Sequence, residues 1–163
     1  KNLVNSLRIG QGIDSHKIRK GPADFILGGI LIESEYEIIA HSDGDIICHS
    51  IIDAFLGALN LGDLGSFAPN NKENENISSL ELLKKAKVLL DSKSYKIVNI
   101  DCTYIGEVPR LEKYKSKIEK ELSRILSIKD DQVSCKATTR DGLGFEGKLK
   151  GISCQSIVLL SKK

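Results

Sequence analysis

GISCQSIVLL, Gly151 to Leu160, reads as a β-strand with two faces to hide. Successive side chains of an extended chain point to opposite faces. Ile152, Cys154, Ser156, Val158 and Leu160 therefore share one face, and Ser153, Gln155, Ile157 and Leu159 share the other; both are at least partly apolar. One face is expected under the chain's own helices. Burial of the other against a further subunit is the simplest solution.

Outward from this strand, QVSCKATT (Gln132 to Thr139) reads as a second late strand across a glycine-bearing loop, and KIVNIDCTYI (Lys96 to Ile105) alternates in the same way. Near the start, LRIGQGIDSH (Leu7 to His16) fits a glycine-interrupted strand, and DFILGGILIES (Asp24 to Ser34) fits an extended pair turned at Gly28-Gly29. A helix is predicted from about Asp43, with Ile47, Ile51, Ala54, Phe55 and Ala58 at helical spacing and His49 and Asp53 on one side. Ala68 to Asn76 reads as a solvated loop. Ser78 and Glu81 then supply a capping box for a second helix whose Leu82, Leu83, Ala86, Leu89 and Leu90 form a stripe. Pro109 is expected to set up a third helix with Ile118, Leu122 and Ile125 inward. The sum is one α+β domain over residues 1–163, a mixed or antiparallel sheet with helices on one face.

Composition narrows the function. The 163 residues are 40% hydrophobic and 28% charged, as in ordinary soluble domains, and 24 basic against 22 acidic residues leave a net charge of +2. No broad basic surface exists, so a nucleic-acid partner is not expected. No apolar run reaches the length of a membrane span, so no membrane partner is expected either. Cys48, Cys102, Cys135 and Cys154 stand far apart without CxxC spacing and read as buried thiols in a reducing compartment. The compartment expected is the cytoplasm of a bacterium or the plastid or apicoplast of a eukaryote; a start at Lys1 leaves a removed transit peptide open.

All three histidines, His16, His41 and His49, lie near Asp14-Ser15-His16 and His41-Ser42-Asp43-Gly44-Asp45. In a strand, Asp14 and His16 project from one face, and a helical His49 could complete a set of three metal ligands. A His2Asp set leaves one tetrahedral position open, as catalytic zinc requires, and a phosphate oxygen suits it. His41, Asp43 and Asp45 also read as capping and dipole-complementing groups, and at least one aspartate is expected to serve so. Asp53, one turn after His49, reads either as the partner that orients an imidazole or as an exposed helical acid.

RIGQGIDSH, HSDGDIICHSIIDAFLGALNLGDLG and KATTRDGLGFEG resemble, in order and spacing, the three signature regions of the 2-C-methyl-D-erythritol 2,4-cyclodiphosphate synthase family, over about Arg8 to Leu160. The resemblance implies a homotrimer with sites between subunits and a phosphorus–oxygen lyase of the non-mevalonate isoprenoid pathway. The substrate would be 4-diphosphocytidyl-2-C-methyl-D-erythritol 2-phosphate, whose 2-phosphate attacks the β-phosphorus and expels CMP. Zinc would be held by Asp14, His16 and His49, and magnesium or manganese steadied by Asp141. His41 and Thr139 would flank the reacting phosphates. Ser42, Asp63, Leu64 and Gly65 would meet the erythritol or its phosphate, and Gly106, Pro109, Arg110, Leu111 and Thr138 the nucleotide of the neighbouring subunit. Ser15, Arg140, Phe145 and Lys148 complete the implied substrate contacts.

An isoprenoid diphosphate in an apolar channel on the threefold axis is implied as well, facing Lys148 and, if the stretch is extended, Lys150 on the same face. Three departures stand out: Asp141 replaces the family's usual glutamate, Ala68-Pro69-Asn70 replaces aromatic-Pro-Asp, and Arg110 replaces a common lysine. A metal-dependent phosphohydrolase and a binding protein without turnover are the competing readings.

Overall fold

In the computed structural model, which describes residues 3–163, β7 (Gly151–Lys162) is the middle strand of a five-stranded sheet. The order is β4 (Tyr36–Ile39), β1 (Leu7–Lys20), β7, β5 (Tyr95–Ile105), β6 (Val133–Thr138). Only the β5–β6 pair is parallel, so the sheet is mixed as expected. The helices are α1 (Ile46–Leu59), α2 (Leu64–Phe67), α3 (Ser79–Ser92), α4 (Lys115–Leu126) and α5 (Gly144–Gly147). The expected extended pair at Gly28-Gly29 forms a separate two-stranded sheet, β2 (Phe25–Leu27) with β3 (Ile30–Ile32). No described helix is long and apolar enough to cross a membrane.

The predicted alternation of β7 holds. Ile152, Cys154, Ser156, Val158 and Leu160 are completely buried beneath the helices. The opposite face, continued by register onto β1, carries Ile9 (73% exposed), Ile13 (54%) and Ile157 (51%). A single chain therefore leaves an apolar sheet face in water, a cost that association removes.

α1 lies directly on β1 and β7 and is buried all round except at Asp53, Gly57 and Leu59. Two glycines of β1 permit this approach: a Cβ on Gly10 would run into the carbonyl of Ala54, and one on Gly12 into the carbonyl of Ser50. Behind them, Ser50 Oγ and Ser156 Oγ meet at 2.6 Å, a buried polar pin between helix and sheet.

Several boundaries differ from the sequence reading. α1 begins at Ile46 rather than near Asp43, because Asp45 is the N-cap and accepts from Cys48 N at 3.1 Å. Pro109 does not start a helix; it sits in a loop after a cis Val108–Pro109 bond, and α4 begins at Lys115. Lys148 to Lys150 are not extended: Lys148 caps α5, Leu149 is left-handed at φ 58, and β7 begins only at Gly151, so the two lysines do not share a strand face. Ser78 does cap α3, accepting from Glu81 N at 3.2 Å. All four cysteines are free and buried, and burial pushes the thiols up, Cys154 to about 11.

The glycine contacts make a prediction. Gly12→Ala must push α1 off β1, which should cost about 3 kcal/mol, the upper end of ordinary over-packing. Denaturant unfolding of the variant beside the parent measures it, and a cost near zero would show that the helix tolerates the shift.

Candidate metal centre and active-site pocket

Asp14 and His16 leave the helix-covered face of β1 two residues apart, and His49 faces them from the first turns of α1. Asp14 Oδ2 lies 3.0 Å from His16 Nε2 and 3.0 Å from His49 Nδ1. One ligand atom from each residue falls within 4.8 Å of the other two. The imidazoles meet edge to face with centroids 5.8 Å apart. The expected facial set thus exists in one chain.

The electrostatics suit a cation. Burial opposes the Asp14 charge, yet the two imidazoles 3.0 Å from its Oδ2 outweigh it and hold the carboxyl down at about 2. Burial depresses His49, but its bond to Asp14 and the nearby Asp45 and Asp43 charges raise it above the ordinary histidine value. His16 Nε2 is buried, and its 3.0 Å approach to Asp14 Oδ2 is not aligned as a hydrogen bond, so the nitrogen has no hydrogen-bond partner. Buried polar nitrogens are rarely left so, and a coordinated cation would satisfy this one. Two imidazoles and one carboxylate are a zinc-type donor set with a position open to substrate.

The centre opens into a cavity of about 540 Å³. His41, Ser42, Leu64 and Gly65 line it, together with Ala68, Pro69, Asn70, Asn74 and Glu75 of the predicted solvated loop. Asp63 does not line it: that carboxylate is exposed, caps α2 by accepting from Ser66 N at 2.9 Å, and is held below its usual range by that bond. Asp53 is not the partner of an imidazole, nor a free surface acid. It accepts from Leu64 N at 3.2 Å and Ile13 N at 3.4 Å, tying α1 to α2 and to β1.

The imidazole partner is a residue the sequence reading missed. Ser79 Oγ lies 2.7 Å from His49 Nε2 and also bonds Asp43 Oδ1, while Ser79 N donates to Asp43 Oδ2 at 3.0 Å. The only signal was a second serine beside the cap Ser78. Asp45, for its part, accepts from Gly28 N and Gly29 N at 2.8 Å as well as capping α1, so the two aspartates of HSDGD divide the work.

The other implied residues lie elsewhere in the chain. Val108, Pro109 and Arg110 line a separate cavity of about 590 Å³ with Asp24, Glu33, Glu35 and Tyr36. Gly106 N donates to Thr138 O at 3.0 Å, joining that loop to the end of β6; Leu111 is buried, so its side chain belongs to the core. Thr138, Thr139, Arg140 and Asp141 are exposed, with Asp141 left-handed at φ 55. Ser15 points away from the centre to Ser153 Oγ at 3.0 Å. Phe145 and Lys150 line a third cavity with Ser15 and His16; Lys148 is exposed and does not line it. Ser15, Ser153, Ile105 and Thr138 form one row across the sheet. Three strand spacings therefore separate Thr138 from the metal centre, about 14 Å.

Known proteins share this fold and most of this sequence's length. Over 155 residues the chain is 43% identical to the 2-C-methyl-D-erythritol 2,4-cyclodiphosphate synthase of Clostridium botulinum (strain Okra / Type B1), covering 94% of this chain and 99% of that protein. It is 46% identical over 155 residues to the synthase of the same name from Clostridium kluyveri, covering 94% of each. Among solved structures it resembles the Plasmodium falciparum IspF in complex with CDP (TM-score 0.86, 39% identity, 98% of both chains). It also resembles the bifunctional IspDF of Campylobacter jejuni (TM-score 0.91, 32% identity, 96% of this chain), of which it spans only 42%. The sequence profile of the YgbB family matches residues 7–161. With residues 7–161 matched by the family profile and relatives 43% and 46% identical over nearly the whole length, the chain belongs to the YgbB family, alongside the 2-C-methyl-D-erythritol 2,4-cyclodiphosphate synthases.

Proposed function

We propose that the chain converts 4-diphosphocytidyl-2-C-methyl-D-erythritol 2-phosphate into 2-C-methyl-D-erythritol 2,4-cyclodiphosphate and CMP. The observation that carries this reading is the convergence of Asp14, His16 and His49 at the wall of a cavity shared with His41 and Ser42, in a chain this similar to named synthases. An oxygen of the 2-phosphate forms a bond to the β-phosphorus as the bond from that phosphorus to the α-phosphate oxygen breaks. CMP leaves with the electron pair. Asp14, His16 and His49 hold zinc, while Asp141 steadies magnesium or manganese. Bound there, the two cations would supply Lewis-acid polarisation and charge neutralisation on the diphosphate.

The chain's own residues set the geometry. His41 and Ser42 line the wall beside the triad, within reach of a phosphate in the cavity. Leu64 and Gly65, which line the cavity at the start of α2, meet the erythritol end. Thr138, Thr139, Arg140 and Asp141 serve the site of a neighbouring subunit, for which the roughly 14 Å separation within one chain is the supporting observation. The nucleotide lies along Gly106 to Leu111, where Arg110 offers a planar, bidentate donor. The exposed isoleucine face supports a homotrimer, and an isoprenoid diphosphate on its axis would meet Lys148 and Lys150 as separate turn cations.

Incubation with the diphosphocytidyl substrate, zinc and magnesium should release CMP and the cyclic diphosphate in equal amounts. Release of a free monophosphate without the cyclic product would overturn cyclisation in favour of hydrolysis. His49→Ala should lose bound zinc and turnover together, since two ligands fix the ion poorly; full zinc by elemental analysis would remove His49 from the centre.

Zinc affinity should also depend on pH with a definite sign. The proton that zinc displaces sits on His49, whose value is raised, so affinity should keep climbing with pH beyond about 6.5, the ordinary histidine value. Asp14, at about 2, adds no dependence in that range. A titration that levels off below the ordinary histidine value contradicts this. Asp141→Asn should raise the magnesium requirement and lower turnover, and an unchanged magnesium dependence would leave Asp141 a loop acid only.

A further inference from the structure

We propose that Ser79, held by Asp43, is a positioning residue for the metal centre: it accepts the Nε2–H of His49 and so fixes the tautomer that turns the Nδ1 lone pair toward Asp14 and His16. The inference rests on the metal reading above and deepens it. Asp43 is surrounded by donors. Ser79 N reaches its Oδ2 at 3.0 Å, and Asp45 N reaches its Oδ1 at 3.2 Å. The Ser79 hydroxyl bonds that same Oδ1. A carboxylate so placed accepts only.

A hydroxyl has one proton, and here the carboxylate takes it, because the charge-assisted bond is the stronger. The Ser79 oxygen is left to accept, and its second neighbour is His49 Nε2 at 2.7 Å. His49 must then carry its proton on Nε2. Its Nδ1 is then the nitrogen that faces Asp14, 3.0 Å from the carboxylate oxygen, with His16 Nε2 on the other side at 3.0 Å from that oxygen. A metal bound there would take the Nδ1 lone pair in place of the proton shared with Asp14. The relay thus decides which nitrogen of His49 is the ligand, and partners of this kind are commonly worth 10–100-fold in metal affinity.

Ser79 also begins α3 at the end of the pocket-lining loop, and its own N–H is pinned to Asp43. One carboxylate therefore anchors the loop's exit and, through the hydroxyl, the imidazole. Ser78 caps the same helix without touching His49, which provides a control.

Zinc affinity of chelator-stripped protein, measured against a chromophoric chelator, tests the proposal. Ser79→Ala and Asp43→Asn should each weaken zinc binding about 10–100-fold, and Ser79→Thr should restore it to near the parent value. Ser78→Ala should lower the melting temperature of the metal-free protein while leaving zinc affinity unchanged. Parental zinc affinity in Ser79→Ala, or an equal loss in Ser78→Ala, would overturn the proposal. A parent that binds no zinc would overturn the metal centre and the relay together, a result distinct from a loaded parent with an indifferent Ser79→Ala.

Discussion

The close seating of α1 on β1 is the constraint from which the rest follows. Gly10 and Gly12 remove the side chains that would hold the helix away, and the carbonyls of Ala54 and Ser50 occupy the space. Seated there, α1 brings His49 against Asp14 and His16, across 35 residues of sequence. The chain concentrates lone pairs and a carboxylate in a half-buried corner. Folding alone does not favour such a cluster, because each group is partly desolvated. Its stability comes from helix packing, and its electrostatic imbalance is what makes it receptive to a cation.

The residues behind the centre are shared between structure and chemistry. Burial pushes the Asp45 carboxyl up, opposed by the amides of Cys48, Gly29 and Gly28, and those bonds lock the small β2–β3 sheet to the first turn of α1. Asp43, two residues earlier, faces the other way and meets Ser79. Asp53 ties α2 to α1, which fixes the Leu64-Gly65 turn relative to the imidazoles. Each acid is committed to backbone or hydroxyl donors, so Asp14 alone remains free to serve the centre.

Most of the strands and the apolar faces were legible in the sequence because period-two alternation is a local signal. The ligand triad was legible from Asp14-Ser15-His16 and the helical placement of His49. Other features depended on contacts across the chain. Ser79 was not singled out because the bond that gives it a role reaches Asp43, 36 residues away. Asp53 looked like a partner for His49 because helical spacing says nothing of the Leu64 and Ile13 amides that take it. Lys148 and Lys150 looked paired because alternation was assumed where Leu149 is left-handed. The edge strand β4 gave no periodic signal over four residues and pairs only with the far end of β1.

Assembly and chemistry meet on the sheet. The covered face of β1 carries Asp14 and His16 at the cavity, and its open face carries Ile9 and Ile13, so one strand serves the candidate site on one side and leaves an apolar surface on the other. Ser15, between the ligands in sequence, bonds Ser153, which in turn donates to the buried Glu146 at 3.0 Å. Arg140 lies near that same carboxylate at 3.8 Å, beside the threonines at the end of β6. A chain of polar contacts therefore runs from the strand of the metal centre to the loop proposed to serve the neighbouring site. In the proposed trimer the apolar face holds the subunits, and the same strands set where each half of the site must stand. A slip of β1 against β7 would misplace both halves at once, since a shift of one residue turns Asp14 and His16 to the other face of the sheet.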